Sequence, residues 1–155
     1  MALATSSNAV RIEAPIPGTS YVGIEIPNEK RETVYLKEAI GAEAMKKNDF
    51  LLPMAVGKDI AGKMMAFDMQ KMPHVLIAGA TGSGKSILTN GFIISLLMGK
   101  TPDEVKFIMV DPKQVELSDY NGIPHLLTPV ITEMDKVLNA LKWAINEMES
   151  RYTIF

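Results

Sequence analysis

The 155-residue sequence contains no cysteine. That excludes disulfide bridges and thiolate-held zinc, and it favours a reducing compartment. It also lacks an excess of positive charge: sixteen Lys and Arg stand against eighteen Asp and Glu, a net −2. No global field therefore announces a nucleic-acid partner, although a local basic patch can hide in a neutral total. Long apolar runs are missing as well. The longest, residues 87–98, is broken by Thr89, Asn90, Gly91 and Ser95 and is too short to span a bilayer. No basic stretch with an apolar core follows Met1, so no signal peptide is expected and the segment is expected to be soluble. There is no internal repeat and no low-complexity tract. What remains is ordinary globular composition, in a length that fits one domain or a small piece plus part of a larger one.

The pattern changes near residue 73. Before it, short strand-like pieces alternate with turns. Val22, Ile24 and Ile26 alternate with Tyr21, Gly23 and Glu25, the period of a half-buried strand, bracketed by turns at residues 15–18 and 27–28. A helical stretch is expected over residues 35–47. Residues 52–56 and 64–69 flank the turn-rich residues 57–62 and predict a hairpin. Met64, Met65, Met69 and Met72 cluster there and read as adaptable core filler.

After Pro73 the order becomes strand, loop, helix, strand. Residues 74–78 form a short apolar run fit for a buried parallel strand, residues 85–98 a helix stopped by Gly99, and residues 107–110 a second buried strand. Residues 126–131 read as a third strand interrupted by Pro129. A final helix is expected to be capped by Thr132, with Asp135 three residues on. Met134, Val137, Leu138, Leu141, Ile145, Met148 and Tyr152 then share one face. Trp143 falls on the other side, among Lys136, Asn139, Asn146 and Glu147, an aromatic either incidentally exposed or awaiting a partner, the second being the better reading.

Between the first of these strands and its helix stands Gly79-Ala80-Thr81-Gly82-Ser83-Gly84-Lys85-Ser86. It fits the whole G-x-x-x-x-G-K-[ST] pattern of a phosphate-binding loop. Glycines let successive backbone N–H groups converge on one concavity, and the following helix adds its unpaired donors and the positive end of its dipole. Lys85 is the group for the β- and γ-phosphates, and so the catalytic candidate. Ser86 is the group whose hydroxyl is given to Mg²⁺. A nucleoside triphosphate with magnesium is the ligand these residues imply. Asp111 ends an apolar strand as a metal-holding carboxylate would, but Pro112 follows it and no base stands beside it. A loop-capping or nucleotide-sensing role is the better reading. Glu116 and Asp119 stand evenly between facing the nucleotide and being solvated loop carboxylates. His74 and His125 each lie beside a proline at the edge of an apolar run and read as structural. No Asn-Lys-x-Asp base reader of GTPases and no Ser-Gly-Gly signature of ABC-type ATPases occurs.

Several stretches are more specific than the loop. Residues 11–18, 22–28, 57–62, 71–74, 111–117, 120–130 and 140–144 resemble the wording of the FtsK/SpoIIIE family of DNA translocases, a likeness that covers residues 11–155. The resemblance implies an α/β fold: a partial RecA-like P-loop NTPase core, with a parallel sheet and flanking helices, preceded by a small strand-rich segment. Residues 1–50 would close the segment before the motor core, and residues 51–155 would form the N-terminal half of the motor domain. It implies ATP and Mg²⁺ as cofactors, double-stranded DNA as partner, a homo-hexameric ring and a role in moving chromosomal DNA at division or sporulation. It also implies a cytoplasmic segment, without membrane contact of its own, in a protein anchored in the bacterial inner membrane at the division septum. The family's metal-holding carboxylates would lie beyond Asp111, outside these residues, so the chain is expected to be a fragment. The abrupt start at residues 1–4 and the apolar end at residues 153–155 agree with that expectation. The alternative is a nucleotide-binding module of another P-loop protein that does not hydrolyse its ligand within this segment.

Overall fold

The computed structural model describes residues 10–28, 30, 32–46 and 49–154, and the chain divides into two compact units, Met1–Thr33 and Val34–Phe155. The expectations at residues 1–4, at residue 47 and at residue 155 lie outside the described residues.

In the first unit, β1 (Arg11–Glu13) pairs antiparallel with β2 (Gly23–Glu25), Ile12 opposite Ile24. The turn between them is closed by Thr19, whose N–H and hydroxyl both donate to the Ile16 carbonyl at 3.0 and 3.1 Å. The strand expected from the Val22, Ile24, Ile26 alternation is present, but all three side chains are about half exposed or more.

The second unit is organised around α2 (Lys85–Gly99). This helix is apolar on nearly every side, which is the composition of a helix covered from more than one direction. On one flank Leu96 and Phe92 pack with Met54, Phe67 and Val105, and the Phe67 and Phe92 rings meet edge-on at 5.2 Å. On the other, Ile93 and Leu97 pack with Met109, Val130, Leu117 and Ile123. The first flank is supplied by the expected hairpin, β3 (Pro53–Lys58) antiparallel to β4 (Met64–Asp68), with a bulge between Ala55 and Gly57. Asp59 shapes its turn by accepting the N–H groups of Ala61 and Lys63. One buried hydroxyl ties helix to hairpin: Ser95 Oγ donates to the Gly91 carbonyl and accepts from Ala55 N–H. The short α1 (Leu36–Gly41) and a 3-10 turn, Glu43–Met45, replace the single longer helix expected over residues 35–47.

The sheets differ from expectation. Both described sheets are two-stranded and antiparallel. Among the described residues, parallel pairing is confined to two isolated bridges, Phe107 with Leu126 and Val110 with Ile131. They are carried by bonds such as Leu127 N–H to the Phe107 carbonyl (3.0 Å) and Ile131 N–H to the Met109 carbonyl (2.9 Å). Residues 74–78, expected to be a buried parallel strand, run without a ladder partner, and Leu76 is 92% exposed. A parallel strand needs neighbours on its edges and layers on its faces, and the described residues provide neither here.

The last helix, α3 (Met134–Tyr152), begins one residue after Glu133 with no side-chain cap, so Thr132 does not fill the role expected of it. None of the residues of α3 is buried, so the face expected to pack stays largely in contact with water. Met134, Leu138, Leu141, Ile145, Met148 and Tyr152 are all more than half exposed. Val137, Ala140 and Glu147 are the partly covered positions, and Trp143, exposed as expected, lines a groove together with Met148 and Tyr152 beside Ile108 and Leu127. Periodicity defined the apolar stripe; it did not supply a surface to cover it.

Asp68 at the end of β4 is buried, and its carboxylate accepts N–H bonds from Leu51, Leu52 and Gln70. Burial works against its charge, but these backbone donors and the nearby Lys71 outweigh it and hold the carboxyl below its ordinary 3.8. A group depressed in this way stabilises the fold above its unfolded pKa, and that contribution is lost as pH falls through the folded value. The melting temperature should therefore fall as the pH drops below about 4. Asp68→Asn should lower it at pH 7 and flatten the acid slope, followed by circular dichroism; an unchanged slope would remove Asp68 from the account.

Candidate nucleotide-binding site

Residues 79–84 form an exposed loop that leads directly into α2. Its turns are set by Gly82 at φ +80° and Gly84 at φ +95°, backbone that a side chain rarely tolerates, with Ser83 N–H bonded to the Ala80 carbonyl at 3.1 Å. Gly84 is the N-cap residue and carries no side chain, so the first turn of α2 offers its N–H groups outward, beside the positive end of the helix dipole. Lys85 arches back over the loop. Its Nζ donates to the Gly79 carbonyl at 2.8 Å and the Ala80 carbonyl at 3.2 Å. An ammonium has three donors, so the loop is threaded by a cation that already sits among its carbonyls. Thr81 and Ser83 are exposed, polar and within the loop.

Ser86, one residue further, points its hydroxyl at another element. Its Oγ donates to Glu116 Oε1 at 2.5 Å, across thirty positions of sequence. Glu116 lies in the loop that follows the bridged segment of Phe107 to Val110, and this loop is organised by Asp111. Asp111 is buried, and its Oδ2 accepts from Val115, Glu116 and Leu117 N–H at 3.0, 2.9 and 3.0 Å. Those bonds, from Leu117 and Glu116 first, hold its carboxyl below the ordinary value against the opposing effect of burial. Asp111 is thus a loop cap. The loop also contains Gln114 at φ +56°, a left-handed residue that is not glycine, which such a cap can hold in place. Asp119 is exposed, on the 3-10 turn Ser118–Tyr120.

The far end of the same loop returns to α2. Tyr120 Oη donates to Asn90 Oδ1 at 2.6 Å, and Asn121 Oδ1 accepts from Val130 N–H at 2.8 Å. Of the two histidines, His74 is exposed, whereas His125 is buried with Nε2 bonded to the Lys100 carbonyl at 2.9 Å and Nδ1 without a partner among the described residues. The sequence pattern marked every loop residue from Gly79 to Ser86. It missed the Ser86–Glu116 and Asn90–Tyr120 contacts, because nothing in local spacing pairs residues thirty apart.

The donors present suit magnesium. Mg²⁺ prefers hard oxygen ligands and takes few from the protein, keeping waters and substrate phosphates for the rest. The Ser86 hydroxyl is an oxygen ligand of that kind, and no cluster of three or more His, Cys, Asp or Glu that would make a separate protein cage occurs among the described residues. A glycine-shaped loop, a lysine folded over it and a serine at the start of the next helix define a protein with a P-loop.

Comparison with known proteins makes the class particular. The family model described as FtsK/SpoIIIE family matches residues 35–155, and the model of the FtsK alpha domain matches residues 1–28. The chain is 56% identical over 146 residues to the DNA translocase FtsK of Haemophilus ducreyi, covering 94% of this chain and 15% of that one. It is 54% identical to the namesake of Caldanaerobacter subterraneus and 56% to that of Clostridium tetani, each over its whole length and covering 22% and 21% of those proteins. The chain belongs to the FtsK/SpoIIIE family and spans only 15 to 22% of the length of these relatives. No helix among the described residues is long and apolar enough to cross a membrane.

Proposed function

We propose that this chain is the ATP-binding part of a motor that moves double-stranded DNA. The observation that carries the reading is the loop of residues 79–86 held at the start of α2, with Lys85 arched over it and Ser86 at its edge. The relatives' name, DNA translocase, supports the kind of work to which the nucleotide is put. Gly79, Ala80, Thr81, Gly82, Ser83 and Gly84 offer backbone donors to the phosphates, and Lys85 neutralises the β- and γ-groups. Ser86 contributes a metal ligand. Bound Mg²⁺ would neutralise charge on the phosphate oxygens as it develops. The fold around the loop is RecA-like, and the working unit is a homo-hexameric ring around DNA that serves chromosome segregation at division or sporulation. The segment is cytoplasmic, in a protein anchored in the bacterial inner membrane at the division septum.

The test is which part of the nucleotide is read. A cradle of this kind reads phosphates, so Mg-ATP should bind at least about a hundredfold more tightly than AMP. The missing contacts are charge-assisted, at roughly 1.5–3 kcal/mol each. Equal affinities for the two in a competition titration would place the site elsewhere.

A further inference from the structure

Ser86 donates its only hydroxyl proton to a carboxylate, and that fixes what it has left to offer. A serine hydroxyl has one donor and two lone pairs. With the proton engaged by Glu116 Oε1, the oxygen can act only through its lone pairs, the form in which it ligates a cation. A carboxylate behind a ligand atom also raises that atom's basicity and limits its rotation, as outer partners of metal ligands generally do.

We infer that Glu116 is the positioning residue for the metal ligand Ser86. The carboxylate orients and polarises the Ser86 hydroxyl toward Mg²⁺ bound with the nucleotide. This rests on the nucleotide-binding reading above and adds to it a residue outside the loop pattern.

The surrounding structure is arranged to keep the contact. The loop of residues 111–120 lies along one side of α2 and is fastened to it twice, Glu116 to Ser86 and Tyr120 to Asn90. Ser86 and Asn90 are four residues apart and so share a helix face. Between its ends the loop is held by Asp111, whose Oδ2 gathers the N–H groups of residues 115, 116 and 117, and by Leu117, which packs against the core beside α2. The Glu116 side chain itself is exposed and supports none of this packing. The backbone at 116 is held by others, and its carboxylate is left for Ser86.

The experiment separates metal from nucleotide. Affinity for a non-hydrolysable ATP analogue is measured in EDTA and in saturating Mg²⁺, and Mn²⁺ affinity of the analogue complex is measured by electron paramagnetic resonance. Glu116→Ala should leave the EDTA affinity within about twofold and weaken Mn²⁺ by about tenfold or more, the usual scale for losing an outer partner of a ligand. Ser86→Ala should lose at least as much, and the double variant should lose no more than Ser86→Ala alone, because Glu116 acts through Ser86. Glu116→Gln, which keeps an acceptor oxygen without charge, should fall between. Mn²⁺ affinity unchanged in Glu116→Ala overturns the inference while leaving the cradle intact. An equal loss with and without metal overturns it in favour of a loop-folding role. Wild-type protein that binds no triphosphate under either condition overturns the cradle reading, and this inference with it.

Discussion

Replacing Lys85 by alanine is expected to weaken triphosphate binding by more than about tenfold, or to abolish it. The lost interaction is a charge-assisted contact to phosphate, worth roughly 1.5–3 kcal/mol in a site of this kind. The geometry sharpens the expectation. Lys85 Nζ lies within hydrogen-bond distance of the Gly79 and Ala80 carbonyls, so the ammonium is already over the loop and has little distance to travel to an anion. These two bonds lie at an exposed loop, and their loss should change the melting temperature little. Loss of binding is thereby separable from loss of fold. Lys85→Arg should not restore affinity, since a planar fork cannot take the place of a compact point charge among backbone carbonyls. Titration with a fluorescent ATP analogue decides it; wild-type affinity in Lys85→Ala would remove the loop from the binding account.

Much of this structure was legible because it is local. The β3–β4 hairpin follows from two alternating runs around a turn-rich centre, with Asp59 closing the turn. The start of α2 follows from the glycines before Lys85, and its end from Gly99. The even spread of apolar residues around α2 reflects its two covering layers. What stayed hidden is relational. A stripe at helical spacing in α3 says that two sides differ. Only packing shows that Val137, Ala140 and Glu147 are partly covered while Leu141 and Ile145, like Trp143, stay exposed. Residues 74–78 have the composition of a buried strand, yet composition supplies no neighbours, and pairing is the part of β-structure that sequence spacing does not encode. Glu116 was undecided for the same reason: its partner is on another element, and only the fold of the Asp111 loop brings the two together.

The 155-residue chain by itself is expected to bind nucleotide without turning it over at a motor's rate. Phosphoryl transfer in P-loop motors needs a metal-holding carboxylate, a group that orients the attacking water and, usually, an arginine from a neighbour. On the proposed reading, Lys85 and Ser86 provide the cradle and one metal ligand. Asp111 ends an apolar run as a metal-holding carboxylate would, but its Oδ2 is committed to three backbone N–H groups and Pro112 follows it. Glu116 is occupied by the Ser86 hydroxyl and, on the inference above, serves the metal through it. That leaves the water-orienting group and the arginine unassigned among the described residues. Loss of one transition-state stabiliser typically costs about 10²–10³ in rate, and the absence of two together leaves little of a motor's turnover. The exposed stripe on α3 adds a practical burden, since six large side chains in contact with water favour association of the isolated chain. The measurement is steady-state phosphate release with Mg-ATP and duplex DNA, on material shown by light scattering to be unaggregated. DNA-stimulated turnover above about 1 s⁻¹, within the ordinary enzymatic range, would mean that these residues contain the whole catalytic set and that Asp111 or Glu116 does the chemistry assigned elsewhere.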